Sequence, residues 1–243
     1  MLATLDKQQW VYSENEYIKT WGEFDLTDFN KIRALVAASS LALVVAGCGE
    51  AGTMLDAVGG GSMGTGPDAC FKAAAEKLGA DAKVSDVTAL YSPGPEVDPS
   101  ATEPAGTVMS CTVYYQDPDN PLKLLGIVYN KAAMGGFSEP APVEVSVSGD
   151  AADFKLDDML VPLSDINASG LADVLAANKA KLDESYSAHG LTMVQLVGPG
   201  SFRDGFALRV QYDGRLKSND VKEDGSATIA LDGKTVLDGD FSK

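Results

Sequence analysis

The feature that most constrains the fold is an order of elements that occurs twice: an amphipathic helix followed by alternating strands. In the first half, Asp68 is a suitable N-cap. The apolar positions that follow share one helical face until Gly79 ends the run; they are Phe71, Ala74, Ala75 and Leu78. No regular β-α-β alternation occurs, which argues against a parallel sheet. The order therefore predicts an α+β fold with helices packed on an antiparallel sheet.

Three strands are predicted after this helix. A Pro-rich loop is followed by TVMSCTVYY at 107–115, in which every second residue is apolar. A turn at 117–121 leads to LKLLGIVYN at 122–130, which we expect to be its hairpin partner. A further strand, VEVSV, is predicted at 143–147. These patterns predict an antiparallel meander in the first half of the body.

The second half repeats the order without repeating the residues. A long helix is predicted from the apolar face that ends at His189-Gly190; its members are Leu171, Val174, Leu175, Leu182 and Tyr186. Strands are expected at LTMVQLV, FALRVQY, ATIAL and KTVL, and Asp232-Gly233 is a favoured hairpin dipeptide between the last two. The body, 67–243, is thus divided into possible subdomains 67–150 and 151–243. Whether the two halves are a duplication stays open.

Upstream of the body lies a short apolar segment with a positive flank. Lys31 and Arg33 precede ALVAASSLALVVAG at 34–47, and a single cysteine, Cys48, follows. This layout is typical of a secretory signal, and about 14 apolar residues are too few for a permanent membrane-spanning helix. Residues 31–47 are therefore interpreted as a signal peptide.

The end of this segment, Val45-Ala46-Gly47-Cys48, resembles the lipobox of bacterial lipoproteins. The resemblance implies that the Cys48 thiol receives a diacylglyceryl group, that residues 1–47 are removed, and that acylated Cys48 holds the protein on the lipid bilayer. Gly49 in place of Asp implies the outer membrane, periplasmic face, in a Gram-negative cell, and the plasma membrane in a Gram-positive one. Residues 1–30 do not fit such a signal and are interpreted as an upstream extension from a misplaced start.

A glycine-rich, almost uncharged segment follows Cys48. Its sequence from Gly49 is GEAGTMLDAVGGGSMGTG, which is the composition of a flexible tether. Residues 48–66 are therefore predicted to link the lipid anchor to the body.

Two further cysteines remain, Cys70 and Cys111. An even pair in an oxidising compartment predicts a disulfide. It would close a loop of about 42 residues and stabilise the fold by about 4 kcal/mol. Two buried free thiols are the alternative. The spacing offers no zinc pattern, since no CxxC occurs and the chain has one histidine.

Charge excludes some classes of partner. The net charge is −16, with 35 acidic against 19 basic residues. Nucleic-acid binding is not expected, because phosphate recognition needs clustered Lys and Arg. No metal site or other cofactor is predicted: SNDVKEDGS has acids at the wrong spacing for an EF-hand, and GGGSMG at 59–64 lacks the strand that a dinucleotide fingerprint follows.

One glycine-rich segment matches the pattern of a catalytic serine. Gly60-Gly61-Ser62-Met63-Gly64 fits the nucleophile elbow G-x-S-x-G, and Asp183 and His189 follow in the order that hydrolases use. An elbow needs a rigid strand before the serine, whereas Ser62 lies in the predicted tether. His189 is instead expected to contact the dipole at the end of the second helix. A serine hydrolase is therefore the weaker alternative.

Together these features predict a non-enzymatic envelope lipoprotein. Its expected work is to bind or scaffold an envelope protein that the sequence does not identify. The main alternative is a protein inhibitor of a periplasmic or secreted enzyme. An exposed apolar patch on the strands would favour either of these functions.

Overall fold

The body is built around one antiparallel sheet of nine strands, accompanied by two α-helices. The computed structural model describes residues 63–132, 136–146, 151–199, 204–239 and 241. The helices are α1 (Ala69–Leu78) and α2 (Leu171–Ser185). The strands are β1 (Lys83–Tyr91), β2 (Val108–Gln116), β3 (Leu124–Asn130), β4 (Ala141–Val143), β5 (Val161–Pro162), β6 (Tyr186–Val197), β7 (Ala207–Leu216), β8 (Lys222–Ile229) and β9 (Val236–Asp238). The predicted α+β class is confirmed, with the sheet as its larger part.

Strand order is the main topological fact. The sheet runs β4-β3-β2-β1-β6-β7-β8-β9, and the short strand β5 pairs with the beginning of β1. Helix α1 precedes β1 to β4 along the chain, and α2 precedes β6 to β9. The first long strand of each half therefore lies at the centre, where β1 and β6 pair antiparallel around Ala89 and Val194.

The core follows one row of residues across six strands. These residues are cross-strand neighbours and are all buried: Tyr129, Cys111, Ala89, Val194, Val210 and Ala227. Residues of both helices belong to the same buried cluster, among them Phe71 and Ala74 of α1 and Leu171 and Val174 of α2. Burial of this apolar surface is the main favourable contribution to folding.

The central strand β1 is the largest departure from the sequence analysis, which assigned no strand to residues 83–91. A register shift between Val84 and Asp86 interrupts the alternation, so the buried positions are Val84, Val87, Ala89 and Tyr91. Val84 and Val87 are three residues apart, whereas the later buried positions are two residues apart. Because a β-bulge breaks the two-residue period, the pattern was not recognised.

Two predicted boundaries are wrong. Helix α2 ends at Ser185, not at His189-Gly190, because the next five residues pair with β7 from Asp213 to Leu216. Long-range pairing here outweighs the local helical pattern. Strand β4 covers Ala141–Val143, whereas the prediction was 143–147, of which residue 147 lies outside the described residues.

The two predicted hairpins are confirmed. All of β3 pairs with β2 from Ser110 to Gln116, with Val113 opposite Ile127. Strands β8 and β9 pair around the Asp232-Gly233 turn, where Gly233 has a φ of 69°. Such a positive φ favours glycine, and the Asp232 carboxylate accepts hydrogen bonds from the Lys234 and Thr235 amides.

The chain enters the body at one end of the sheet. Thr65 forms an isolated antiparallel bridge with Thr107, and Met63 packs against the core. The Tyr91 hydroxyl donates to the Pro67 carbonyl at 3.0 Å. Residues 63–66, which the sequence analysis placed in the tether, therefore contact the body.

Candidate functional site

The predicted disulfide is present. Cys70 of α1 and Cys111 of β2 are bonded, with their Cα atoms 5.6 Å apart, and both residues are fully buried. The bridge joins the first helix to the sheet. Neither sulfur is a free thiol, so neither serves as a nucleophile in this state.

Asp183 and His189 lie together, although not as expected. His189 Nε2 is 2.9 Å from Asp183 Oδ1, and Lys179 donates to the other carboxylate oxygen at 2.6 Å. The hydrogen bond from Lys179, followed by that from His189, lowers the pKa of Asp183. His189 is in β6, beyond the end of α2, and reaches back to the last helical turn. Lys217 also contacts this end of α2, where its Nζ donates to the Asp183 carbonyl.

Two of the predicted site residues, Cys48 and Ser62, lie outside the described residues, as does most of the 59–64 glycine motif. Among the residues that the structure describes, no group of three or more His, Cys, Asp and Glu side chains is arranged to hold a metal ion.

A braced loop closes one end of the sheet between β1 and β2. Ser92 is buried and its hydroxyl donates to the Glu103 carbonyl at 2.7 Å, so the two ends of the loop are tied together. Val97 is also buried, whereas Pro95, Glu96, Pro99 and Ser100 are exposed. We name residues 92–107 the braced loop.

Side chains from both halves hold the braced loop. Lys131, just after β3, pairs with Glu103. Arg215 of β7 donates from Nε to the Val97 carbonyl at 2.7 Å. Lys222 of β8 lies 2.7 Å from Asp213 and 3.5 Å from Asp98. The loop is therefore held in one conformation by contacts that are distant in sequence.

The second candidate surface lies on the side of the sheet opposite the buried row. Two adjacent rows of cross-strand neighbours run across the same six strands. One row is Asn130, Ser110, Leu90, Met193, Gln211 and Ser226; the other is Val128, Thr112, Thr88, Gln195, Arg209 and Thr228. We name these residues the open face. Arg209 is its one charged member, and Leu90 and Val128 are 44% and 39% exposed.

At the border of the open face lies a partly buried carboxyl group. Thr88 Oγ1 donates to Asp86 Oδ1 at 2.8 Å, and Gln195 Nε2 donates to Asp86 Oδ2 at 3.3 Å. Burial raises the pKa of Asp86, and the two hydrogen bonds oppose this shift. No cation contacts this carboxyl group among the described residues.

The sequence analysis did not identify this surface, although two of its alternating segments carry part of it. The alternation in 107–115 and 206–212 assigns Ser110, Thr112, Arg209 and Gln211 to the side opposite the apolar positions. Leu90, Thr88 and Asp86 were missed with the strand that carries them. A search for alternation that tolerates one inserted residue would have found 84, 87, 89 and 91.

No helix in the described part of the chain is long and apolar enough to span a bilayer. Comparisons with protein-family models, with curated proteins and with solved structures find no match to this chain.

Proposed function

We propose that the chain is a lipid-anchored envelope protein, acylated on Cys48 after removal of residues 1–47 and placed on the periplasmic face of the outer membrane. The charged, apolar and small-residue segments before Cys48 support this address. The Cys70–Cys111 bridge is consistent with an oxidising compartment.

Mass spectrometry of the membrane fraction tests the address. We expect a mature chain that begins at diacylated Cys48, and we expect Cys48→Ala to leave the membrane fraction. An unprocessed N-terminus, or unchanged partitioning of Cys48→Ala, would contradict the proposal. Thr53→Ala is the matched control, because it changes a nearby polar residue without touching the proposed acylation site or the disulfide.

The body, we propose, binds an envelope protein without catalysing a reaction. The observation that carries this proposal is the open face, whose two rows contain a single charge in a chain that is 22% charged. Interface centres are depleted in Lys, Glu and Asp, and they favour Arg and Met. Half-exposed Leu90 and Val128 add apolar surface.

The positions of the helices also favour the open face as the binding surface. We propose that α1 and α2 both cover the side of the sheet that carries the buried row, since their apolar residues share its cluster. That arrangement leaves most of the open face without a covering layer, although Thr228 on β8 is buried. The matching order of elements in 67–150 and 151–243 also favours two related halves joined at β1 and β6.

The hydrolase alternative is less well supported. In the Ser-His-Asp template the acid bonds Nδ1 and the serine faces Nε2. Here Asp183 bonds Nε2, the nitrogen that the template reserves for the nucleophile. We therefore expect Ser62→Ala and His189→Ala to leave ester and peptide turnover unchanged at background level. Turnover above background that either substitution abolishes would support the hydrolase instead.

The inhibitor alternative rests on the braced loop. An exposed segment already held in one conformation loses little entropy when it binds, which is how a rigid loop gains affinity for an enzyme cleft. The exposed positions 95–96 and 99–100 lie on either side of Val97 and Asp98, which contact Arg215 and Lys222 of the second half.

Photo-crosslinking in intact cells separates the two binding modes. A crosslinking amino acid replaces Leu90 on the open face, Pro95 on the braced loop, or exposed Lys181 on α2 as the control. We expect one discrete protein adduct from position 90 and none from 181. An adduct from 95 alone would favour the inhibitor, and equal adducts from all three positions would contradict a specific surface.

A further inference from the structure

We propose that Asp86 receives an arginine side chain from the protein that binds the open face. This inference rests on the proposed binding function and names one residue of the partner by its chemistry. The partner's guanidinium would lie over β1, between Thr88 and Gln195.

The geometry of the carboxyl group suits a guanidinium. Each oxygen accepts one hydrogen bond from the protein itself, Oδ1 from Thr88 and Oδ2 from Gln195. A carboxylate offers about four lone-pair positions, so each oxygen keeps capacity for a further donor. A guanidinium presents two parallel N–H groups and bonds both oxygens at once, which an ammonium does not.

The nearby cationic side chains of this chain do not form an ion pair with Asp86. Lys83, three residues earlier, bonds Asp157 at 3.2 Å. Arg209 of β7 is the cross-strand neighbour of Gln195 of β6. It therefore lies two strands away from β1, which is about 10 Å at the usual strand spacing. The partly buried carboxylate therefore lacks a counter-ion within the described residues, and a cation from a partner would supply it.

Whole-chain charge favours a basic protein over a second copy of this chain. Removal of residues 1–47, with their four basic and six acidic residues, leaves 15 basic against 29 acidic residues, and this net charge of −14 would oppose face-to-face association of two copies. The same charge would accelerate association with a partner whose contact surface carries arginine. Burial of an arginine–carboxylate pair among the mostly uncharged residues of the open face would also make Asp86 a centre of affinity.

The first test uses N-acetyl-arginine amide as the probe on the full lipidated chain in detergent. We expect the probe at tens of millimolar to raise Tm by a few degrees, more than N-acetyl-glutamine amide does. The rise should be lost in Asp86→Asn and kept in Asp224→Asn, which removes an exposed carboxylate from β8. An equal rise in the parent and Asp86→Asn would overturn the proposal.

The Tm of Asp86→Asn without probe shows whether this variant is folded, so that unfolding is not mistaken for loss of probe binding. Because burial raises the pKa of Asp86, its charged form opposes folding at neutral pH, and Asp86→Asn should melt at or above the parent temperature. Should Asp86→Asn melt lower, Asp86→Glu provides the second test: it keeps the charge, moves the carboxylate outward, and should retain part of the probe's effect.

A second experiment separates this inference from the proposed function. The crosslinker at position 90 is combined with Asp86→Asn in intact cells. We expect the adduct yield to fall at least fivefold relative to Asp224→Asn. An undiminished adduct would overturn the role of Asp86 while leaving the open face as a binding surface. Absence of any adduct in the parent background would contradict the binding function itself.

Discussion

At the scale of the residue, the closest approach of the braced loop to the sheet depends on a glycine. A Cβ atom at Gly190 of β6 would lie 2.3 Å from the Pro93 carbonyl oxygen. The obstructing atom belongs to the backbone, so no side-chain rotation would relieve the contact. The position of this loop against the second half therefore requires Gly190.

We expect Gly190→Ala to lower the free energy of unfolding by about 1–3 kcal/mol, the usual cost of an overpacked contact. Gly136→Ala is the matched control, because a Cβ there meets nothing within 4 Å and its φ is not in the left-handed region. Chemical denaturation of both variants measures the difference. Equal stability of the two would show that the loop moves away without cost.

The Asp183–Lys179 ion pair, with the further hydrogen bond between Asp183 and His189, has a pH signature of its own. The pKa of Asp183 is lowered, so its contribution to stability is present above its unfolded value of 3.8. This contribution is lost as the pH falls through the lower folded value. We expect Asp183→Asn to reduce Tm at neutral pH, and the gap from the parent to close in acid. Glu184→Gln, which removes the adjacent exposed carboxylate, should show a smaller gap; gaps of equal size and pH dependence would argue against the pair.

At the scale of the element, the disulfide connects α1 to the sheet. Helix α1 has ten residues, and a helix of this length is marginal in water without tertiary contacts. Its buried residues are Ala69, Cys70, Phe71 and Ala74. The bond to Cys111, 41 positions away, therefore joins a helix that is marginal alone to strand β2, which is held in the sheet by long-range pairing.

We expect Cys70→Ala combined with Cys111→Ala to cost about 4 kcal/mol, because the unfolded chain regains the entropy of a large open loop. Denaturant unfolding of the variant and of the oxidised parent measures the loss. The reduced parent should match the variant more closely than it matches the oxidised protein. A variant as stable as the oxidised parent would mean that apolar packing alone holds α1.

At the scale of the whole molecule, the chain enters the body beside the braced loop, at the end of the sheet where Thr65 meets Thr107. Met63 packs against the core at that end. Under the anchoring that we propose, the tether would join the body at this end.

We expect a chain that begins at Pro67 to melt about 2–4 °C below one that begins at Met63, the shift for about 1 kcal/mol in a domain of this size. The shorter chain loses the Thr65–Thr107 bridge and the packing of Met63. A chain that begins at Gly49 is the control and should match the Met63 start, because a glycine-rich tether buries little apolar surface. Identical melting of the Pro67 and Met63 starts would place the boundary at 67.

By itself the sequence determined the features that depend on neighbouring residues. Alternation placed β2 and β7, the turn at 117–121 placed β3 as a hairpin partner, the Asp-Gly dipeptide marked the last hairpin, and cysteine count predicted the bridge. The pattern before Cys48 supplied the proposed address. Each signal is local or a matter of composition, and no tertiary contact is needed to recognise it.

Only the tertiary structure decided which strand is central and which residues come together in the open face. The bulge in β1 hides its alternation, and residues 186–190 become strand only because β7 is available to pair with them. The carboxyl of Asp86 acquires its environment from Gln195, 109 positions away. Pairing between strands far apart in sequence sets these features, because strand preference depends on cross-strand neighbours more than on the segment itself.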